Sequence, residues 1–222
     1  MLVKFCGATT VAEVTGLAAA GADLVGLWYQ VPGGRSEVTA ARLAALSEAA
    51  SDTGRLAPVL VTFASDPAAL LRAVRAARAP YVQLHGFQTP GTVRALRRDG
   101  PAGLKIIKAL HLRGSECLEE GLTGAYERAG ADCFLLDTAT TDGRIGSTAE
   151  PLQDTAVRRL ADRIQLPFLL AGGLHAGNRG DFAGARAHPR FLGIDVDSAA
   201  RGEGGLLCAD RAAAVTHAWR ST

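Results

Sequence analysis

The amino-acid sequence predicts an α/β protein built as a single (β/α)8 barrel, the TIM barrel. The chain has 222 residues, a length that suits one large α/β domain better than two. Eight short apolar segments alternate along it with longer stretches of helical spacing. Each unit then has about 28 residues, enough for one strand and one helix of a barrel. We therefore expect residues 1–222 to form one domain. A doubly wound open sheet is the alternative fold.

The eight apolar segments are predicted to be parallel β-strands. All are short and rich in Val, Ile, Leu or Phe, and continuous apolar runs are typical of strands that are covered on both faces. They are Leu2–Cys6, Asp23–Trp28, Pro58–Phe63, Tyr81–Leu84, Leu104–Leu110, Asp132–Asp137, Leu166–Leu170 and Phe191–Val196.

The stretches between these segments are predicted to be helices. Apolar residues recur every three or four positions, as at Leu43, Leu46 and Ala50. Residues suited to capping a helix N-terminus stand before three of these stretches. They are Thr10, Asp66 and Thr89.

Composition excludes several classes of protein. The 24 basic and 22 acidic side chains give a formal net charge of only +2, and no basic tract favours nucleic acid as a partner. The longest apolar runs have about six residues, too few to span a membrane, and the N-terminus lacks the apolar region of a signal peptide. The four cysteines form no C-x-x-C pair, so we expect reduced thiols and no metal site. We expect a cytoplasmic protein.

The active site of a barrel lies at the carboxyl ends of its strands, and two reactive side chains stand there. Cys6 ends the first predicted strand and Asp137 ends the sixth. Side chains alternate along a strand, so Lys4 shares a face with Cys6, and Gln83 shares one with His85. A thiol and a carboxylate can serve as a general base and a general acid when their pKa values suit the task.

Five motifs in this chain resemble those of the phosphoribosylanthranilate isomerase family, and they occur in that family's order. They cover nearly the whole chain. The motifs are Lys4-Phe5-Cys6-Gly7, Gln83-Leu84-His85-Gly86, Leu135-Leu136-Asp137-Thr138, Ala171-Gly172-Gly173-Leu174 with Asn178, and Asp195-Val196-Asp197-Ser198.

The resemblance implies a (β/α)8 barrel that acts in tryptophan biosynthesis. The implied reaction is the Amadori rearrangement of N-(5-phosphoribosyl)anthranilate, an aldose-to-ketose isomerisation that uses no metal and no organic cofactor. The implied partner is a small phosphorylated sugar, with no role for nucleic acid or membranes, and the implied assembly is a monomer or a homodimer.

The resemblance also implies roles for individual residues. Asp137 is the acid that protonates the furanose ring oxygen, and Cys6 is the base that removes the C2 proton. We expect the pKa of Cys6 to be lowered and that of Asp137 to be raised, so that both lie nearer neutrality, with Lys4 favouring the thiolate. The implied substrate-binding residues are Lys4, Arg35, His85 and Asp195.

The phosphate site implied by the resemblance has a physical basis in the sequence. Gly172 and Gly173 follow the seventh strand, where backbone N–H groups and the N-terminus of a following helix could bind an anion. Ser198 and Ala199, after the eighth strand, would form the other wall.

Three segments depart from the family's pattern, and all follow predicted strands. They are Pro32–Arg35, which keeps only the arginine, Gly143–Thr148, where a glycine-rich loop is degraded, and Asp197–Arg201. Asp197 should weaken anion binding unless it points away, and Arg201 could partly compensate. Two alternatives stay open: a paralogue that isomerises another N-glycoside or sugar phosphate, and a non-catalytic barrel that binds a ligand or a partner enzyme.

Overall fold

A closed barrel of parallel strands forms the centre of the protein. The structure is a computed structural model that describes residues 1–139 and 152–221. Eight strands form the barrel, and a ninth, β6, adds a short hairpin. They are β1 (Leu2–Cys6), β2 (Leu24–Trp28), β3 (Ala57–Thr62), β4 (Tyr81–Leu84), β5 (Lys105–Arg113), β6 (Glu116–Cys117), β7 (Cys133–Thr138), β8 (Phe168–Leu170) and β9 (Phe191–Val196).

The strand order closes on itself. It runs β4-β3-β2-β1-β9-β8-β7-β5, and a further pairing of β4 with β5 completes the ring. All eight of these pairings are parallel. The predicted (β/α)8 barrel is confirmed, and the open-sheet alternative is wrong.

Eight α-helices among the described residues surround the barrel. They are α1 (Val11–Ala19), α2 (Ala40–Asp52), α3 (Pro67–Ala77), α4 (Pro90–Asp99), α5 (Thr123–Ala129), α6 (Asp154–Ala161), α7 (Ala183–Ala187) and α8 (Ala209–Arg220). In the described part of the chain, no helix has the length and apolar character needed to cross a membrane.

The predicted helix caps occupy the expected positions. The Thr10 side chain accepts a hydrogen bond from the backbone of Glu13, and Asp66 accepts two, from Ala68 and Ala69. Thr89 is also an N-cap residue, but its side chain makes no capping hydrogen bond.

The fifth strand is longer than predicted. We expected it to end at Leu110, but β5 continues to Arg113 and turns back through Gly114, which has a φ of +59°. Leu112 then pairs with Cys117 in an antiparallel hairpin. The apolar run ends before His111. The backbone pairing continues to Arg113, because strand pairing needs no particular side chain.

The barrel encloses its own layer of apolar side chains. Val59, Val61, Ile107, Leu135 and Leu169 belong to one buried cluster inside the ring of strands. A larger cluster lies between the strands and the helices. Because side chains alternate along a strand, the inner cluster identifies which residues at the strand ends face the mouth of the barrel.

Glu13 joins helix α1 to the segment that precedes helix α8. Its Oε2 accepts hydrogen bonds from the backbone N–H groups of Thr9 and Thr10, both at 2.9 Å, and Oε1 accepts one from Leu207 at 2.7 Å. Burial raises the pKa of Glu13, but these hydrogen bonds outweigh burial and lower it. The carboxylate therefore stays ionised and satisfies three backbone donors.

Replacing this carboxylate should destabilise the fold. In Glu13→Gln an amide N–H₂ would face backbone donors, so we expect the free energy of unfolding in urea at pH 7 to fall by about 1–3 kcal/mol. Because the pKa of Glu13 is lowered in the folded protein, the contribution of its carboxylate to the free energy of unfolding is lost as the pH falls through that pKa. The difference in this free energy between wild type and Glu13→Gln should therefore shrink in acid. Exposed Glu48 on α2 gives the control, Glu48→Gln. An equal loss in both variants would contradict this role.

Candidate active site

The mouth of the barrel brings together side chains that are far apart in sequence. Cys6, His85 and Asp137 lie at or just beyond the ends of β1, β4 and β7, and all are buried. Lys4 and Asp195 lie one layer deeper, where they are register partners on β1 and β9. The predicted acid, base and substrate-binding residues of the strands therefore occupy one region.

The Cys6 thiol has two nitrogen donors. Nζ of Lys4 lies 3.2 Å from Sγ, and Nε1 of Trp28 lies 3.1 Å from it. Gly26 on the neighbouring strand leaves the space for this arrangement, because a Cβ there would come within 2.5 Å of Sγ. The requirement for glycine at position 26 could not be seen in the sequence.

The expected lowering of the Cys6 pKa is wrong for this arrangement. Burial, and then the negative charge of Asp195, raise the pKa of Cys6 to about 12, and Lys4 only partly opposes them. Nζ of Lys4 donates to Oδ2 of Asp195 at 2.6 Å, so its charge is already paired. Burial lowers the pKa of Lys4, but Asp195 and Cys6 outweigh burial and raise it. Cys6 is therefore a neutral thiol beside an ammonium–carboxylate pair.

Asp137 also departs from the expected protonation state. Its Oδ2 lies 3.2 Å from Nε2 of His85, and its Oδ1 accepts the backbone N–H of Thr138 at 2.8 Å. Burial raises the pKa of Asp137, but the hydrogen bond and charge of His85, the charge of His111 and the Thr138 N–H together lower it. Asp137 is a carboxylate here, and the expectation of a raised pKa is wrong for this arrangement.

Gln83 orients the His85 ring. Its Nε2 lies 2.8 Å from Nδ1 of His85, and Phe63 stacks on the same ring with the planes 9° apart. The other ring nitrogen is then directed at Asp137. His85 is thus fixed on two sides, as expected of a residue that orients a carboxylate or a ligand.

Arg35 reaches the mouth from the loop after β2 and meets the segment after β9. Its Nη2 donates to Oδ2 of Asp197 at 2.5 Å and to Oγ of Ser198 at 3.1 Å. Arg201 donates through Nε to Oδ1 of the same aspartate at 2.6 Å. The expected compensation by Arg201 is present, because Asp197 lies between two guanidinium groups and its charge is paired.

Arg201 also ties three loops together. Its Nη2 lies 2.9 Å from Oγ of Ser36, 3.1 Å from the carbonyl oxygen of Gly7 and 3.3 Å from that of Cys6. The side chain is buried. Arg201, which belongs to the departing segment Asp197–Arg201, is therefore built into the structure of the mouth.

The glycine pair after β8 adopts a backbone that suits glycine. Gly172 and Gly173 have φ values of +80° and +69°. The helix expected directly after them is absent: a 3-10 turn begins only at Arg179, and α7 begins at Ala183. The support expected from a helix N-terminus is wrong for this position, so any anion there would depend on backbone N–H groups.

The opposite wall of the predicted phosphate site is a single short turn. Ser198 and Ala199 lie in a 3-10 turn that ends at Ala200. The degraded loop at Gly143–Thr148 lies outside the described residues.

Sequence reasoning missed a second buried pair at the mouth. His111 on β5 and Glu119 after β6 join through Nδ1 and Oε1 at 2.6 Å. The alternation of Ile107, Ala109 and His111 could have placed this histidine on the inner face. The position of Glu119 depends on the hairpin, which the sequence did not predict.

Comparison with known proteins assigns the chain to a family. The sequence model of N-(5'phosphoribosyl)anthranilate (PRA) isomerase matches residues 3–206. The chain belongs to the phosphoribosylanthranilate isomerase family. An N-(5'-phosphoribosyl)anthranilate isomerase of Azorhizobium caulinodans is 34% identical over 218 residues, which cover 97% of this chain and 90% of the relative. One of Methanocella arvoryzae is 31% identical over 201 residues, which cover 90% of this chain and 89% of the relative.

Solved structures agree with this assignment. The phosphoribosyl anthranilate isomerase of Thermus thermophilus superposes with a TM-score of 0.79 at 25% identity, and 98% of each chain is covered. The interpretation as an isomerase of tryptophan biosynthesis is confirmed. Neither alternative, a paralogue with another substrate or a non-catalytic barrel, is supported.

The protonation state of Cys6 can be tested by alkylation. Iodoacetamide reacts with the thiolate, so at pH 7.5 a thiol with a pKa of about 12 should react slowly. In Asp195→Asn the loss of a neighbouring negative charge should lower that pKa and speed the reaction at Cys6. Mass spectrometry of digests taken over time would measure the rate at each cysteine, with partly exposed Cys208 as the internal control. An unchanged rate at Cys6 would show that Asp195 does not influence the thiol.

Proposed function

We propose that the chain catalyses the Amadori rearrangement of N-(5-phosphoribosyl)anthranilate with Cys6 as the base and Asp137 as the acid. The observation that carries this proposal is the placement of both groups, buried, on the inner face of the barrel at its mouth. Asp137 gives a proton to the furanose ring oxygen as the ring C–O bond breaks and a Schiff base forms. Cys6 then removes the C2 proton, and the resulting enolamine tautomerises to the ketone.

Substrate binding is what prepares the two groups for these roles. The thiol must release its proton to solvent, and the carboxylate must take one up from solvent. The cationic Schiff base that ring opening creates favours a nearby thiolate, and the substrate's negative charges favour the protonated form of a nearby carboxyl group. The substrate therefore moves both pKa values in the direction that the chemistry needs.

The remaining groups at the mouth bind the substrate. Arg35 is the partner for the anthranilate carboxylate, which must take the place of Asp197 on its guanidinium group. Lys4, His85 and Asp195 surround the reacting carbons. The phosphate is bound by Gly172, Gly173, Ser198 and Ala199, through backbone N–H groups and the Ser198 hydroxyl.

The proposal extends to the domain, the cellular location and the assembly of the enzyme. Residues 1–222 act as one barrel domain in the cytoplasm, as a monomer or a homodimer. Membership of an isomerase family that acts on a small phosphorylated sugar supports this setting.

Removing the Cys6 thiol should abolish proton transfer and leave the fold intact. We expect Cys6→Ala to reduce kcat at least about 10²-fold, the lower range for a general base, with a thermal midpoint within a few degrees of wild type. The assay follows the loss of fluorescence of freshly generated phosphoribosylanthranilate. Cys133→Ala, which removes a buried thiol lower in the barrel, is the control. Near-wild-type turnover in a folded Cys6→Ala protein would exclude this base.

The role of Asp137 can be separated from binding. Asp137→Asn keeps the shape of the side chain but cannot supply the proton, so kcat should fall by about 10²–10⁴-fold. The dissociation constant of a stable product analogue, measured by calorimetry, should change little. If the variant lost analogue binding and kept its rate at saturation, Asp137 would be a binding residue.

A further inference from the structure

The turn after β8 leaves three consecutive backbone N–H groups without a protein partner. They belong to Gly172, Gly173 and Leu174. Among the residues that the structure describes, no acceptor receives any of these donors, although the N–H of the preceding Ala171 bonds to the carbonyl oxygen of Leu136 at 2.8 Å. Gly173 is exposed and Gly172 is half-buried, so the turn is open to a ligand. Successive backbone N–H groups of this kind can bind an anion.

The same turn lies beside Asp137. A Cβ at Gly172 would come within 3.4 Å of Oδ1 of Asp137 and within 3.0 Å of the Thr138 side chain. Gly172 also has a φ of +80°, a backbone conformation that favours glycine. The turn is therefore fitted against the end of β7, and an anion bound by it would lie at the mouth, on the side of the proposed acid.

Asn178 bonds to this turn with both ends of its side-chain amide. Its Nδ2 donates to the carbonyl oxygen of Gly173 at 3.1 Å, and its Oδ1 accepts the backbone N–H of His175 at 2.9 Å. The side chain is buried. From α8, Nε1 of Trp219 donates to the carbonyl oxygen of His175 at 2.9 Å. Two side chains therefore hold the residues that follow the glycine pair.

One of these bonds sets the direction of a free donor. The carbonyl group of Gly173 and the N–H of Leu174 belong to one peptide unit, which is planar and trans, so the two groups point in opposite directions. Because Asn178 holds the carbonyl oxygen, it also fixes where the N–H points. Glycine has wide backbone freedom, so without this bond the peptide unit could turn and present its carbonyl oxygen, which repels an anion.

We propose that Asn178 is a positioning residue for phosphate binding: by holding the carbonyl oxygen of Gly173, it directs the N–H of Leu174 at the substrate's phosphate. The role rests on the proposed function, in which the glycine pair binds that phosphate. The amide of Asn178 is uncharged and does not itself touch the phosphate. The N–H of Leu174 becomes a third backbone donor, and the asparagine of the fourth sequence motif gains a physical role.

The first test uses inorganic phosphate and requires no isomerase activity. In ¹⁵N-labelled protein, ¹H–¹⁵N spectra recorded during a phosphate titration follow each backbone N–H. We expect saturable downfield shifts of the amide protons of Gly172, Gly173 and Leu174 in wild type, because an N–H that donates to an anion is deshielded. In Asn178→Ala the dissociation constant of phosphate should rise at least about tenfold, because a hydrogen bond to a charged group is lost. The Leu174 shift should disappear.

Gln88→Ala is the matched control. Gln88 is also a buried side-chain amide, and in the loop after β4 its Nε2 donates to the carbonyl oxygens of Thr62 and Ala64 at 3.1 and 2.9 Å. Its replacement should lower thermal stability about as much as Asn178→Ala and leave phosphate binding unchanged. A phosphate affinity or a Leu174 shift in Asn178→Ala equal to that of wild type would overturn the proposal.

The second test uses the reaction itself. We expect Asn178→Ala to raise KM at least about tenfold and to leave kcat within about threefold of wild type, because the phosphate is bound equally in the ground state and the transition state. A stable product analogue should lose affinity by a similar factor, whereas its dephosphorylated form should bind both proteins equally. Equal losses for the two analogues would indicate general damage to the mouth and would overturn the role.

A second variant covers a failure to fold. If Asn178→Ala does not fold, Asn178→Asp decides, because it keeps the acceptor for His175 and replaces only the donor to Gly173. Selective loss of the Leu174 shift at saturating phosphate would support the role, since an added charge alone would affect all three amides. Three unchanged shifts would overturn it.

Failure of the role and failure of the proposed function give different results. An inactive wild-type protein that still shows all three shifts would contradict the proposed reaction and support the role of Asn178. An active wild-type protein in which the glycine amides respond to phosphate and Leu174 does not would overturn the role alone. A wild-type protein in which none of the three amides responds would contradict both the phosphate site and the role.

Discussion

The buried ion pair of Lys4 and Asp195 is the interaction on which the mouth of the barrel depends. Its charges lie 2.6 Å apart, almost wholly out of contact with solvent. The pair joins β1 to β9, where its members are register partners. A buried charge is tolerated when it is paired, and losing one partner typically costs about 3–5 kcal/mol. The pair therefore fixes the register of the first and last barrel strands and places Cys6 above it.

The same pair controls the chemistry of Cys6, and carboxylates held by a nearby side chain recur around the mouth. An isolated ammonium group beside a thiol would favour the thiolate, but the charge of Lys4 is already neutralised by Asp195. Asp137 is paired with His85, Glu119 with His111, and Asp197 with two arginines. A substrate with a carboxylate and a phosphate must therefore exchange partners with protein groups. In the proposed reaction, this rearrangement on binding prepares Cys6 and Asp137 for proton transfer.

The sequence predicted the eight barrel strands with small errors at their ends, because strands covered on both faces need continuous apolar runs. It also supplied Cys6, His85, Asp137 and Asp195 as candidates, because each lies at or near the end of such a run. It did not predict the β5–β6 hairpin, where polar residues and Gly114 replace the continuous apolar run. The position of Glu119, and with it the second imidazole pair, depends on that hairpin and could not be predicted.

The sequence by itself determined the fold class and the family, and it supplied Cys6 and Asp137 as the proposed base and acid, because these follow from local patterns and ordered motifs. Only the tertiary structure decided the protonation states of Cys6 and Asp137, and both differ from what the motifs suggested. The pKa of a buried group depends on how completely water is removed and on which charges lie within a few ångströms. Cys6 meets Asp195, and Asp137 meets His85, only because the barrel closes and brings distant segments of the chain into contact.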